Sequence, residues 1–267
     1  MSIQHLNEID ITYDTFGTVS GTPLLLLHGA FLSRRQWAQQ VYAFATRYKV
    51  ITCDLRGHGE SGRSPNTYAL PLFADDVSKL IAALGYERVI LCGHSFGGMV
   101  AQEVAITFPA QVSALILAES HSGMTNTFPG TLRTMLGWWL TALISVERAA
   151  HNMADQHGKY APEVAEYLRR EINVHARDKV NYLNIRRAEI AFSTKHRLES
   201  IEAPTLLLAG EYHPTTHKLI SQMRREIKQA VVKIVPNAGY LVNMDNPEGF
   251  NRAVLEFLEG LSRPRIL

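Results

Sequence analysis

The chain opens on an alternation of apolar and polar positions: Ile3 and His5, then Ile9, Ile11 and Tyr13. A period of two marks a strand with one buried face, and two such runs in the first fifteen or so residues predict an antiparallel hairpin at a sheet edge. The pattern then changes. Pro23-Leu24-Leu25-Leu26-Leu27 is a continuous apolar run ending in His28-Gly29, as expected of a strand buried on both faces. Ser33 stands where an N-cap belongs, and the following residues predict a helix over Arg34–Tyr48. Val50–Asp54 is the next strand, closed by Arg56-Gly57-His58-Gly59. A helix over Leu70–Leu84, a strand over Arg88–Cys92, a tight turn over Gly93–Gly98, a helix over Gly97–Phe108 and a strand over Val112–Ala118 follow.

Strand and helix in strict alternation imply an α/β fold with a mostly parallel, doubly wound sheet. The alternation stops between His121 and Arg197, where no strand-like run occurs and several helices are expected. It resumes with Ala203–Gly210, a helix over Thr216–Ile227, a strand over Val231–Val235 and a helix over Pro247–Leu261. The expected organisation is a core of residues 1–120 and 198–267 interrupted by a helical insertion at 121–197.

Composition narrows the function. The chain has 267 residues, 46% hydrophobic and 19% charged, enough for a sizeable core and too apolar for intrinsic disorder. With 27 Lys+Arg against 25 Asp+Glu and no basic stripe, nucleic acid is not an expected partner. No apolar run reaches the roughly 18 residues of a membrane span. The first residues lack the basic and apolar regions of a signal peptide. Cys53 and Cys92 fall inside strand-like runs and read as small buried hydrophobes in a reducing compartment. The expectation is a cytoplasmic monomer or homodimer, without a membrane partner, acting on a small molecule.

Gly93-His94-Ser95-Phe96-Gly97 has the form G-x-S-x-G between a strand and a helix. Glycines flank such a turn because a Cβ there meets the neighbouring strand and helix, and the serine hydroxyl is left exposed above a helix N-terminus. His28-Gly29, the stretch Asp54-Leu55-Arg56-Gly57-His58-Gly59-Glu60-Ser61, this turn with Gly98, and Ala203–Gly210 together resemble the α/β-hydrolase superfamily, in particular its members with a helical cap. The resemblance implies an α/β-hydrolase fold with 121–197 as the cap and Ser95 as nucleophile. It also implies an oxyanion hole from the Ala30 and Phe96 amides, chemistry without cofactor or metal, and a substrate pocket drawing on His28, Gly29, Phe31, Trp138 and Trp139, which suits a small, largely apolar and uncharged organic substrate. Arg56 and His58 read as shaping the adjacent loop, and the His94 side chain is expected to turn into the structure. The pair His213 and His217 is a weak metal signal, because Pro214 follows the first at a helix start.

The pattern departs from the superfamily at two places. Gly210-Glu211-Tyr212-His213 puts His213 where the triad acid is expected, and Pro236-Asn237-Ala238-Gly239-Tyr240 puts Tyr240 where the base is expected. A phenol with a pKa near 10 donates hydrogen bonds well and accepts protons poorly at neutral pH. Three readings stay open: hydrolysis of an ester, lactone or C–C bond by a rewired set, with Glu119 at the end of the sixth strand as acid; a non-hydrolytic lyase or cyclase reaction in the same pocket; or a disabled ligand-binding protein. Arg186 and Arg187 read either as carboxylate contacts or as a solvated helix face.

Overall fold

The computed structural model describes residues 1–18, 20–64, 66–123, 148, 151–152, 154–155, 162–176 and 178–262. Eight strands form one sheet in the order β1-β2-β4-β3-β5-β6-β7-β8. The edge hairpin is present as β1 (Ser2–Leu6) and β2 (Ile9–Phe16), joined by Asn7 and Glu8, both at positive φ as a two-residue hairpin turn requires. β2 also runs antiparallel to β4 (Tyr48–Cys53). All remaining pairings, among β3 (Thr22–Leu27), β4, β5 (Val89–His94), β6 (Val112–Ala118), β7 (Thr205–Gly210) and β8 (Ala230–Val235), are parallel.

The leucine run in β3 is explained by its two neighbours in depth. Leu25 and Leu27 enter one core with Leu91, Leu115 and Leu207, covered by α2 (Leu70–Ala83) and α3 (Phe96–Thr107). Leu24 and Leu26 enter the other with Ile90, Ile116, Leu206, Trp37 and Phe44, covered by α1 (Ala38–Phe44) and α8 (Pro247–Ser262). Successive side chains point to opposite faces, so a strand covered on both sides has no polar position to offer. β8 is the exception: Val231 to Ile234 are exposed, as suits the last strand at an edge.

One expected element is different. Arg34–Tyr48 is not a single helix. Arg34–Trp37 is a 3₁₀ turn, α1 stops at Phe44, and Tyr48 already begins β4. Ser33 makes no capping hydrogen bond, and the i→i+3 bond from Arg47 N to the Phe44 carbonyl tightens the exit so that the chain reaches the sheet.

Between β6 and β7 the structure describes α4 (Pro162–Ala176) and α5 (Lys179–Ala191). Val164, Leu168, Ile172, Tyr182, Ile185 and Ala188 join the core on the α2/α3 side, and Tyr182 stacks on Phe31 with centroids 4.5 Å apart. The entry and exit of this segment meet in a short antiparallel bridge, Gly123 with Ser193. After β7 come α6 (Pro214–Glu226), β8, the short α7 (Val242–Asp245) and α8. Among the described residues no helix is long and apolar enough to cross a membrane. The reversal of strand order at β3 opens a crevice between the loops after β3 and β5, where doubly wound sheets bind ligands.

Candidate active site

Ser95 stands at the turn between β5 and α3 with φ 50° and ψ −111°, a backbone conformation L-residues rarely adopt. The neighbours dictate it. A Cβ on Gly93 would lie 2.3 Å from the Gly97 carbonyl oxygen, and one on Gly97 would lie 2.2 Å from the Leu27 carbonyl oxygen. Ser95 N donates to the Ala118 carbonyl at 2.8 Å, and Ser120 Oγ donates to the Ser95 carbonyl at 3.1 Å. Strain of this kind persists only where the surroundings over-determine it, and it concentrates at functional positions.

The Ser95 hydroxyl is hydrogen-bonded to the Tyr240 hydroxyl. Tyr240 is anchored through its main chain, whose carbonyl accepts from His94 Nε2 at 2.8 Å. The His94 ring therefore turns into the structure as expected, and it also borders the crevice. Burial pushes the Tyr240 phenol well above the usual tyrosine range, and the hydrogen bond to Ser95 pulls it back only in part. The phenol is thus a neutral hydrogen-bonding group.

Behind Tyr240 stands His213, its ring edge-on to the phenol at 5.4 Å and 82°. His213 Nδ1 lies 2.6 Å from Glu119 Oε2 and 2.8 Å from Thr216 Oγ1. The Glu119 carboxylate is fully buried and also accepts from Gly210 N at 2.5 Å. Glu119 shares with Ser95 a positive φ, 49°, at the end of the adjacent strand. The structure therefore brings together four of the expected residues in the order Ser95, Tyr240, His213, Glu119.

The Ala30 and Phe96 amides have no hydrogen-bond acceptor among the described residues. Phe96 opens α3, where the first N–H groups lack intrahelical partners and the helix dipole favours negative charge. Gly29, Ala30 and Phe31 line a cavity together with His94, Tyr240, Leu168 and Leu241. A Cβ at Gly29 would come within 2.9 Å of His94 Nδ1, so glycine lets this loop close on the His94 ring.

His28 differs from the expected ligand contact. It is fully buried, with Nδ1 at 2.8 Å from the Gly29 carbonyl and Nε2 accepting from Leu55 N at 3.0 Å. Burial lowers its pKa, so the neutral ring splices the β3 and β4 loops together. His58 and Arg56 hold the neighbouring loop: His58 Nδ1 meets the Arg56 carbonyl, and Arg56 forks onto Asp76 at 2.7 and 2.8 Å. His217 donates to the Gly210 carbonyl at 2.8 Å. Trp138 and Trp139 lie outside the described residues. Arg186 and Glu189 complete the cavity wall as an ion pair on α5, while Arg187 is exposed. The sequence carried a signal for this pair: Tyr182, Ile185, Arg186 and Glu189 share one helix face at i, i+3, i+4 and i+7.

Residues 24–253 match the model of the alpha/beta hydrolase family. The chain is 26% identical over 250 residues to 3-oxoadipate enol-lactonase 2 of Acinetobacter baylyi, covering 92% of each protein. Among solved structures, a hydrolase from Pseudomonas aeruginosa superposes with a TM-score of 0.85 at 25% identity, over 96% of this chain and 97% of that one. A malate-bound thermophilic esterase from Thermogutta terrifontis gives 0.83 at 27% identity, over 96% and 95%. With the sheet order, the strained serine turn and a family match across most of its length, the chain belongs to the α/β-hydrolase family.

Proposed function

We propose that the protein is a serine hydrolase of small esters or lactones. In this reading Ser95 is the nucleophile, the Ala30 and Phe96 amides receive the oxyanion, and Tyr240 passes the serine proton to the His213–Glu119 pair. The observation that carries it is the hydrogen bond between Ser95 and Tyr240 at a strained turn, with the Ala30 and Phe96 amides left without an acceptor among the described residues. As Ser95 Oγ bonds to the substrate carbonyl carbon, its proton moves to Tyr240 Oη while the phenol's own proton leaves for His213. The π electrons collect on the carbonyl oxygen, where the amides stabilise them. Tyr240 gives and receives in one step, so a raised phenol pKa is no obstacle: no free phenolate forms. His213 then returns a proton to Tyr240 as Tyr240 gives its own to the departing oxygen, so one proton reaches the leaving group, and water then releases the acyl group by the same relay. Glu119 holds the His213 tautomer and offsets the imidazolium charge. In this reading the 121–197 segment is the cap over the cavity, with Leu168 of α4 and Arg186 and Glu189 of α5 on its inner wall. An enol-lactonase and an esterase among the relatives support the substrate class.

The upward push on the Tyr240 phenol favours a second reading. Two neutral hydroxyls could hold a substrate carbonyl while His213 moves a proton, in an elimination or cyclisation without an acyl-enzyme. A serine-directed fluorophosphonate separates the two. The hydrolytic reading expects covalent labelling at Ser95, hydrolysis of p-nitrophenyl acetate, and loss of both in Ser95→Ala. Absence of labelling and of Ser95-dependent ester turnover in the unmodified protein overturns it.

A further inference from the structure

The cavity wall opposite the loop of Gly29–Leu32 carries a charge the proposed chemistry does not use. Arg186 and Glu189 project from α5, with 28% and 19% of their side chains exposed. Within this protein Arg34 shows what a largely buried guanidinium takes up when its partners are all protein groups. Its Nε meets Asp14, its Nη1 meets Asp54 and its Nη2 meets Glu60, so every edge is filled. Arg186 meets one carboxylate through Nη1 alone, and its Nε and Nη2 have no acceptor among the described residues. That remaining edge is a planar two-donor fork, the shape a carboxylate's two oxygens match.

We propose that Arg186 anchors a carboxylate of the substrate, so that this cavity takes small carboxylate-bearing esters or lactones with the reacting carbonyl at the Ala30 end and the anion at the α5 end. Glu189 holds the guanidinium in place and balances its charge while the cavity is empty, which stabilises Arg186 in a partly desolvated wall. The lining also carries apolar side chains at Phe31, Leu32, Leu168 and Leu241. Glu189 also opposes an incoming anion, so the anchor has moderate strength by construction.

The proposal rests on the hydrolytic reading only for the position of the carbonyl, and the test keeps the two apart. Succinate and its neutral diamide, succinamide, are titrated calorimetrically into the protein, and turnover of p-nitrophenyl hemisuccinate is compared with that of p-nitrophenyl butyrate. Wild type is expected to bind succinate more tightly than succinamide. Arg186→Met is expected to weaken succinate about ten- to a hundredfold, with Arg186→Lys restoring only part because a point charge replaces the fork. Glu189→Gln should tighten succinate severalfold, and it serves as the test if Arg186→Met fails to fold. In turnover, Arg186→Met should raise KM for the hemisuccinate at least tenfold more than for the butyrate. Equal affinity of wild type and Arg186→Met for succinate, equal affinity of wild type for succinate and succinamide, or no saturable succinate binding overturns the anchor. Arg186-dependent succinate binding without hydrolysis of either ester keeps the anchor and overturns the hydrolytic reading.

Discussion

The end of β5 and the ends of β7 and β8 contribute to the same site under different constraints. At β5 the backbone itself sets the residue types. Gly93, Gly97 and Gly98 each face atoms within 2.6 Å of where a Cβ would stand, and for Gly93 and Gly97 those atoms are main chain that cannot swing aside. At β7 and β8 the main chain also approaches closely, a Cβ on Gly210 lying 2.3 Å from the Gly239 carbonyl oxygen, but the side chains at the functional positions are held by side-chain hydrogen bonds, such as His213 with Glu119, and many side chains satisfy such bonds. The fold therefore dictates where the nucleophile sits, and it leaves the identity of the groups behind it open. This is why a histidine and a tyrosine can occupy the acid and base positions while the serine turn keeps its form.

If that contrast holds, the largest effect belongs to Gly97→Ala. The added Cβ would sit 2.2 Å from the Leu27 carbonyl oxygen and 2.6 Å from that of His28, between two buried main-chain segments. A loss above about 3 kcal/mol, or failure to fold, is expected. Gly260→Ala in α8, with nothing within 4 Å, is the internal control and should leave stability equal or slightly raised. Urea denaturation of both variants measures the difference. Equal stabilities would break the idea that the serine turn is fixed by sterics.

The next effect is catalytic. Tyr240→Phe removes the hydroxyl that meets Ser95 and leaves the His94 bond to the Tyr240 carbonyl intact. A drop in kcat of about 10²–10³-fold is expected, with a melting temperature within a few degrees of wild type. His213→Gln should cost a similar factor, and the double variant should lose little more, because both act in one proton path. Full additivity of the two losses would mean that the proton leaves Ser95 by another route.

The same contrast decides what can be read from sequence alone. The apolar runs of β3, β5 and β7 announce themselves because burial on both faces excludes polar residues, and the glycines of the serine turn follow from sterics. His213 and Tyr240 can be located because Ala203–Gly210 and Asn246-Pro247-Glu248 fix their register. What they touch cannot: Glu119 reaches His213 across 94 positions of chain, a pairing set by β6 and β7 lying side by side. Arg186 reads equally well as a solvated residue until α5 is docked and its phase is known. The single helix expected over Arg34–Tyr48 fails because propensity does not register the tight turn that returns the chain to the sheet.

The smallest effect lies in the β8 loop and depends on pH. Asp245 Oδ2 accepts from Gly239 N at 2.9 Å, holding the residue before Tyr240, while its Oδ1 is buried without a partner. Burial pushes this carboxyl up to about 6. A folded-state value above that of the unfolded chain means the native state holds the proton more tightly. Its stabilising contribution is therefore full below about pH 4 and is lost as pH rises through about 6. Asp245→Asn keeps an acceptor for Gly239 N and removes the charge. The variant is expected to gain about 1 kcal/mol at pH 7.5, a figure reduced for the group's partial exposure, and nothing at pH 4. Urea denaturation of both proteins at the two pH values reads the gain directly. A loss of equal size at both would show instead that the Gly239 contact depends on the shape of the carboxyl group and not on its charge, and that this loop is as tightly constrained as the serine turn.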